Sequence, residues 1–567
     1  MIQSVTEAIL SERYYDYIIP TTVLNSGVFS SLVPEDSYFL MMDSFYGILS
    51  APVPSDPSII SFVNYSTIPG LFLPQDLSSL EVSGIIQAQT QTTLQLNGQG
   101  VLIGFLDTGI DYQNPVFLDF AGRTRIEAIW DQTIQTGAAP AAFPYGSEYR
   151  KEDIDRALSS DDPYTVVPSR DENGHGTSMA SIAAGSRLPE QDFTGAAPLA
   201  SIAVVKLKEA KEYLKEFFCF SGSGPVYQET DIIMGYSYLT DLARSLNMPL
   251  VVCIGLGSNQ GEHSGGMPLE VVLGGANRYI SNAVVTAAGN EGGRSHHYYA
   301  LLDGQENYRT VEILVQENTP GFYAELWTQS PEILSVGFLS PGGEVISRIP
   351  PGLNNTTTVD FVLENTVIEV HYETILTTSG SQLIFMRFTD PSPGVWQLRV
   401  YGPPVLKGDF HIWLPMYGFT QPDVVFLNPD PHTTVTSPGV SPGVITAGAY
   451  SAYDDSLYLN SGRGYNRLGM VKPDLCAPGV QVSGFGAADY LSSFTGTSAA
   501  AAVTAGGAAL IIQWGLSQNP AFLFSTTDIK NILIRGALRD NGQDYPNREW
   551  GYGKLNIYRS FIAFINR

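Results

Sequence analysis

VLIGFLDTG, residues 101–109, is the stretch whose reading decides the fold. Six apolar or glycine residues run unbroken into Asp107, Thr108 and Gly109. A strand with one wet face alternates polar and apolar residues, whereas a strand covered on both faces does not. The run therefore reads as a buried parallel strand, and such sheets keep their function at the C-terminal ends of the strands. Asp107 stands at that end.

The surrounding sequence repeats the theme. NGHGTSMASIAAG (173–185) reads as a turn entering a small-residue helix, and ASIAVVKLK (200–208) as the next strand. TDIIMGYSYLTDLARSL (230–246) has helical spacing of Ile, Tyr and Leu, and PLVVCIGLG (249–257) and NAVVTAAGN (282–290) are two more buried strands. Alternating strand and helix implies an α/β layer fold. The texture breaks near Leu302. VEILV, FYAELW, ILSVGFLS, TVIEVHYE, QLIFMRF, VWQLRVYG and DFHIWL follow from Val311 onward, separated by Gly, Pro and Asn, and predict an inserted antiparallel β-sandwich. The α/β pattern returns with GVITAGAYS (443–451), a long helix in FTGTSAAAAVTAGGAALIIQWGL (494–516) and a closing amphipathic segment at 526–537. Ahead of it all, YYDYIIP (14–20) and SYFLMMDSFYGILSAP (37–52) make a small α+β unit of residues 1–75. The expected division is 1–75, 76–304, 305–434 and 435–567.

Composition narrows the function. The 567 residues are 44% hydrophobic and 15% charged, with 56 Gly and 36 Pro, which suits a packed chain rich in turns. The net charge of −26 is spread along the chain and disfavours nucleic acid and anionic membrane surfaces. Cys219, Cys253 and Cys476 match no metal pattern and are too few for a disulfide scaffold. DDP (161–163) and DD (454–455) lack cation-loop spacing, so neither a metal nor a cofactor is expected. The opening MIQSVTEAILSERYYDYIIP has no basic region followed by a long apolar run, and no apolar stretch suggests a membrane helix. The expected location is cytoplasmic, spore-associated or reached by a non-classical export route.

Hydrolysing an amide with a serine takes an activated hydroxyl, a base, a group that orients the base, and donors for the oxyanion. Ser498 in GTSAAAA starts the long helix, whose N-terminal N–H groups and dipole favour negative charge. His175 in NGHGTSMA can take the serine proton and pass it to the leaving amine. Asp107 can fix the imidazole tautomer, and the Asn290 amide in AAGNEGG can donate to the oxyanion. Singly, each has a plainer reading as a turn residue, a helix start or an N-cap. Together, each in its own Gly-rich frame, they read as one site.

LIGFLDTGID, NGHGTSMASIAAG, TAAGNEGG, KPDLCAPG, SFTGTSAAAA and WGYGKLNI resemble the subtilisin-like (S8) serine peptidases over about 84–300 and 436–567. The order Asp, His, Asn, Ser is the subtilase order and differs from that of chymotrypsin and the α/β-hydrolases. The resemblance implies a seven-stranded parallel sheet flanked by helices, with Gly255, Leu256 and Gly257 pairing with substrate backbone as a β-strand. A narrower likeness, in EAIWDQTIQTG (127–137), GLGSNQGEHSGG (255–266) and the placement of the insert, is to the Csp germination proteases of spore-forming Firmicutes. That likeness implies a jelly-roll insert, a prodomain that is cut autocatalytically and stays bound, and a protein or peptide substrate. The first substrate would be the chain itself, cut just after Gln75. Ala499 replaces the usual Met after the nucleophile. Some Csp relatives are pseudoproteases acting as binding or signalling proteins, which is the alternative reading. This chain keeps all three triad residues.

Overall fold

The computed structural model describes residues 4–24, 33–34, 36–53, 65–74, 83–91, 94–275, 281–302, 308–374, 379–402, 406–487, 490–518 and 522–565. At its centre lies an eight-stranded sheet. The spatial order is Leu475–Pro478, Ile445–Tyr450, Asn282–Ala287, Leu250–Ile254, Leu102–Asp107, Ser201–Lys206, Ile126–Asp131 and Ser147–Arg150. Seven of these strands are parallel, as expected, and the eighth, Ser147–Arg150, pairs antiparallel with Ile126–Asp131. The expected seven-stranded parallel sheet is thus a mixed eight-stranded one. SEYR is an edge strand covered on one side only, with alternating burial, so it carries no apolar run to announce it.

The strand alternation feeds two cores. Ile103, Phe105, Val251, Cys253 and Val285 face one, with the His175–Ala184 and Thr497–Ser517 helices. Leu102, Leu106, Leu250, Val252 and Ile254 face the other, with the Glu229–Leu246 helix. Contrary to the sequence expectation, Thr497–Ser517 is long and apolar enough to cross a membrane, with mean hydropathy 1.5. It is the central core helix instead, 83% buried over that window. Its Ala and Gly residues let it lie close against the His175 helix and the sheet. The cysteines are free thiols, two of them buried.

Residues His297–Phe426 form two antiparallel sheets around one shared core. The six-stranded sheet runs His297–Leu301, Asp409–Trp413, Gly321–Thr328, Gln382–Thr389, Val367–Glu373 and Asn354–Asp360. The five-stranded sheet runs Val345–Ile349, Ser335–Leu339, Gly394–Tyr401, Arg309–Val315 and Val425–Phe426. His297–Leu301 belongs to the sandwich, which therefore starts before residue 305. NNTTTVD at 354–360 is a largely exposed edge strand whose polar side chains gave no apolar signal.

The N-terminal unit has a helix, Val5–Leu10, and a three-stranded antiparallel sheet of Tyr14–Pro20, Tyr46–Pro52 and Tyr38–Met41. A buried ion pair, Lys211 Nζ to Asp16 Oδ2 at 2.9 Å, fastens it to the α/β body. Lys211 also donates to the carbonyls of Ala8 and Tyr14. The unit then delivers residues Leu71–Pro74 into a short sheet between Tyr227–Gln228 and Leu256–Gly257.

Candidate active site

Asp107 closes its strand at the C-terminal edge of the sheet, and His175 opens the helix that crosses above it. Gly174 caps that helix with φ +84, and an added Cβ there would lie 2.4 Å from the Ala487 nitrogen, so only glycine fits. His175 Nδ1 lies 2.6 Å from Asp107 Oδ1. A carboxylate only accepts, so Nδ1 carries the hydrogen, and in the neutral ring Nε2 holds the lone pair. Asp107 Oδ1 also accepts from the Thr108 N–H at 2.7 Å, which fixes the carboxylate plane.

Ser498 is the second residue of the long helix and is fully buried. Its hydroxyl donates to the Gly255 carbonyl at 3.0 Å. An added Cβ on Gly255 would lie 3.0 Å from His175 Cε1 and 3.2 Å from Ser498 Cβ. The imidazole and the serine therefore crowd the same glycine from two helices. Asn290 follows the Asn282–Ala287 strand, and its Oδ1 accepts from the Thr497 N–H at 3.1 Å and from the Thr497 hydroxyl at 3.2 Å. Two donors on one atom settle the amide orientation: Oδ1 faces Thr497 and Nδ2 is the donating end.

Gly255, Leu256 and Gly257 follow a sheet strand that stops at Ile254. Leu256 pairs with Pro74 and Gly257 with Leu73, antiparallel. On the other side Phe72 pairs with Tyr227 and Leu71 with Gln228. Leu71 N–H donates to Gln260 Oε1 at 2.6 Å, and Gly70 N–H to Glu229 Oε2 at 3.2 Å. Burial lifts the Glu229 carboxyl to about 7 against the pull of its backbone donors, the Leu269 and Gly70 N–H groups. Gln75, the residue after this strand, lies outside the described residues.

Two residues of the site escaped the sequence reading. Asp171, buried, accepts from the Thr108 hydroxyl at 2.7 Å and the Gly174 N–H at 2.8 Å through Oδ1. Through Oδ2 it accepts from the Thr177 N–H at 2.9 Å and hydroxyl at 2.7 Å. Thr108 Oγ1 in turn accepts from Gly176 N–H at 2.9 Å, and Thr177 Oγ1 from Asp111 N–H at 2.9 Å. One carboxylate thus ties the strand end beside Asp107 to the helix start around His175. Thr497 is the other, gripping Asn290 while accepting from Gly289 N–H at 3.1 Å. The signals were an acid four residues ahead of His175 and a Thr just ahead of Ser498.

A hydroxyl, an imidazole of fixed tautomer and an oriented amide donor, gathered about the start of the Thr497–Ser517 helix, are what acyl transfer requires. The profile of the subtilase family matches residues 98–347 and 427–553, which carry all of these residues. The chain belongs to the subtilase family. As a subtilase it has the serine-protease character of that family. It is similar in structure to the CspB protease of Clostridium perfringens, with TM-score 0.75 and 30% identity over 86% of this chain and 98% of that one. It also resembles the serine protease AprX of Bacillus subtilis, 34% identical over 147 residues. That match takes in 22% of this subtilase and 31% of AprX, so it spans about a third of the relative.

Proposed function

We propose that this subtilase is an endopeptidase using Asp107, His175 and Ser498 as a catalytic triad, with its own N-terminal unit as first substrate. The observation that carries the reading is the meeting of His175, paired to Asp107 at 2.6 Å, with Ser498 around Gly255. Ser498 Oγ attacks the carbonyl carbon of the scissile bond as its proton passes to His175 Nε2. Asp107 stabilises the imidazolium, and the oxyanion takes hydrogen bonds from Asn290 Nδ2 and a backbone N–H at the helix start. Collapse of the tetrahedral species breaks the C–N bond, and the same proton goes to the leaving amine. Water then enters, gives its proton to His175 and releases the acid, which regenerates Ser498.

Self-cleavage just after Gln75 is supported by the antiparallel pairing of Leu73 and Pro74 with Gly257 and Leu256, a strand that ends one residue before it beside Gly255, whose carbonyl takes the Ser498 hydroxyl. After cleavage residues 1–75 would stay docked as a prodomain, and the β-sandwich built from His297–Leu301 to Val425–Phe426 would act as a structural jelly-roll. Activation of another protein by limited proteolysis, as in spore germination, is the biological role we favour, on the resemblance to the Csp group.

N-terminal sequencing and intact mass of the purified chain test this. The parent should yield a fragment beginning at Asp76, and Ser498→Ala a single uncut chain. A Ser498→Ala chain that matures like the parent would remove the serine from the mechanism.

A further inference from the structure

Tyr65 lies in a short turn, Tyr65–Thr67, six residues ahead of the Leu71–Pro74 strand, and it is buried against the outer face of the six-stranded sheet, in a core shared with Tyr213, Phe217 and Phe218 of the α/β body. Its ring sits 5.3 Å from Phe385 and meets Trp327 and Phe218 edge-on, each at 6.5 Å. Phe385 and Trp327 belong to the six-stranded sheet of the insert. The Tyr65 hydroxyl donates to Glu325 Oε1, and its N–H donates to Glu373 Oε2 at 3.2 Å.

These carboxylates are poorly explained as sandwich core. Glu325 is fully buried, and Glu373 Oε1 is buried with no hydrogen-bond partner among the described residues. Burial lifts both carboxyls to about 7. Burying two acids without a cation is unfavourable unless donors meet them, and Tyr65 supplies one to each. The other Glu325 oxygen accepts from Trp327 Nε1 at 3.0 Å and from Gly261 N–H at 2.9 Å. Gly261 adjoins Gln260, whose side chain holds Leu71. Glu325 therefore joins the insert, the N-terminal segment and the loop that follows Leu256–Gly257.

We propose that the β-sandwich carries a binding socket for one tyrosine of its own chain, Tyr65, and that its occupancy sets how firmly the 71–74 strand stays over the active site. The ligand class is a tyrosine in a tight peptide turn: the aromatic walls take the ring, Glu325 takes the hydroxyl and Glu373 takes the backbone N–H. Filling of the socket stands on this geometry alone; its consequence for turnover rests on the protease reading above.

The test is hydrogen exchange by mass spectrometry on the full chain carrying Ser498→Ala, in which self-cleavage plays no part. Tyr65→Phe keeps the ring and removes the donor to a buried carboxylate. It should speed exchange in peptides covering residues 65–74 by about tenfold or more, and Tyr65→Ala should do so further. Exchange in Gly321–Thr328 and Gln382–Thr389 should not change. Unchanged protection of 65–74 in both variants would overturn the proposal, as would equal loss of protection across the whole sandwich, which would make Tyr65 ordinary core. In the Ser498 chain, Tyr65→Phe should also raise the rate of fluorophosphonate labelling. If exchange responds but no chain ever labels, the protease reading fails while the socket stands.

Discussion

Asp171→Asn should disable this enzyme without touching any group that meets the substrate. Asp171 takes two donors on each oxygen: Thr108 Oγ1 and Gly174 N–H on one, Thr177 N–H and Oγ1 on the other. The amide keeps one accepting oxygen. If Oδ1 keeps its place, an NH2 group faces the Thr177 N–H, donor against donor. The Thr177 hydroxyl, which already accepts from Asp111 N–H, can accept from that NH2 only by turning its own hydrogen away from residue 171. Losing one hydrogen bond to a charged group costs about 1.5–3 kcal/mol, and a buried unmet donor adds about 1–3 kcal/mol. Partial relaxation brings the expected loss of stability to about 3 kcal/mol. Relief of the clash must move the helix start that carries His175, and a misplacement of about 1 Å can cost about 100-fold in rate. Urea unfolding should show a lower midpoint at unchanged slope. Peptide hydrolysis should show kcat reduced far more than KM is raised, with a shifted acid limb in the pH profile. Thr108→Ser, which keeps the hydroxyl, should be nearly silent. An Asn variant matching the parent in midpoint, kcat and pH profile would refute the positioning argument.

Gly255→Ala should fold normally but lose most activity, because its methyl would press on His175 Cε1 and Met179 Cε at 3.0 Å and on Ser498 Cβ at 3.2 Å; a fully active variant would mean that the pair can separate freely. Asn290→Ala should lower kcat about 100- to 1,000-fold with KM little changed, a magnitude that comes from subtilisin itself; a change in KM alone would remove Asn290 from the oxyanion site. His296 links Glu291, beside Asn290, to Asp423 in the insert, at 2.5 and 3.1 Å. Burial opposes its charge, but Glu291 and Asp423 outweigh burial and hold it up at about 9. A raised histidine contributes stability that is complete below about 6.5 and is lost as pH climbs through about 9. The parent should therefore lose on the order of 3 kcal/mol across that window while His296→Gln stays flatter, and parallel pH curves would contradict the assignment.

Much of this was legible before any coordinates. The apolar runs ending at Asp107, Ile254 and Ala287 announced sheet strands because a strand covered on both faces leaves no room for polar side chains. The seven sandwich runs each became a strand: Arg309–Val315 and Gly394–Tyr401 bury alternate residues, while Gly321–Thr328 is buried on both faces and reads as a continuous apolar and aromatic run. Edges were the weak point: Ser147–Arg150 and Asn354–Asp360 bury too little to leave an apolar trace. The run at 249–257 looked like one strand, yet it breaks at Gly255 to pair with residues 73–74 instead of the sheet. Asp171 leaves no mark because a carboxylate that accepts four hydrogen bonds has the same sequence signature as a turn Asp, and Thr497 none because a Thr opening a helix is ordinary whether or not it grips an amide. Tyr65 was invisible for a different reason. Its partners Glu325 and Glu373 lie some 260 and 308 positions away, and no local pattern connects them.

The claim on which the rest depends is that residue 498 is a nucleophile primed by residue 175. A fluorophosphonate probe followed by peptide mapping reads this directly. One adduct should form, on Ser498 alone, at a rate that falls sharply in His175→Ala and Asp107→Ala. Labelling that spares Ser498, or proceeds equally fast without the imidazole, would contradict the account.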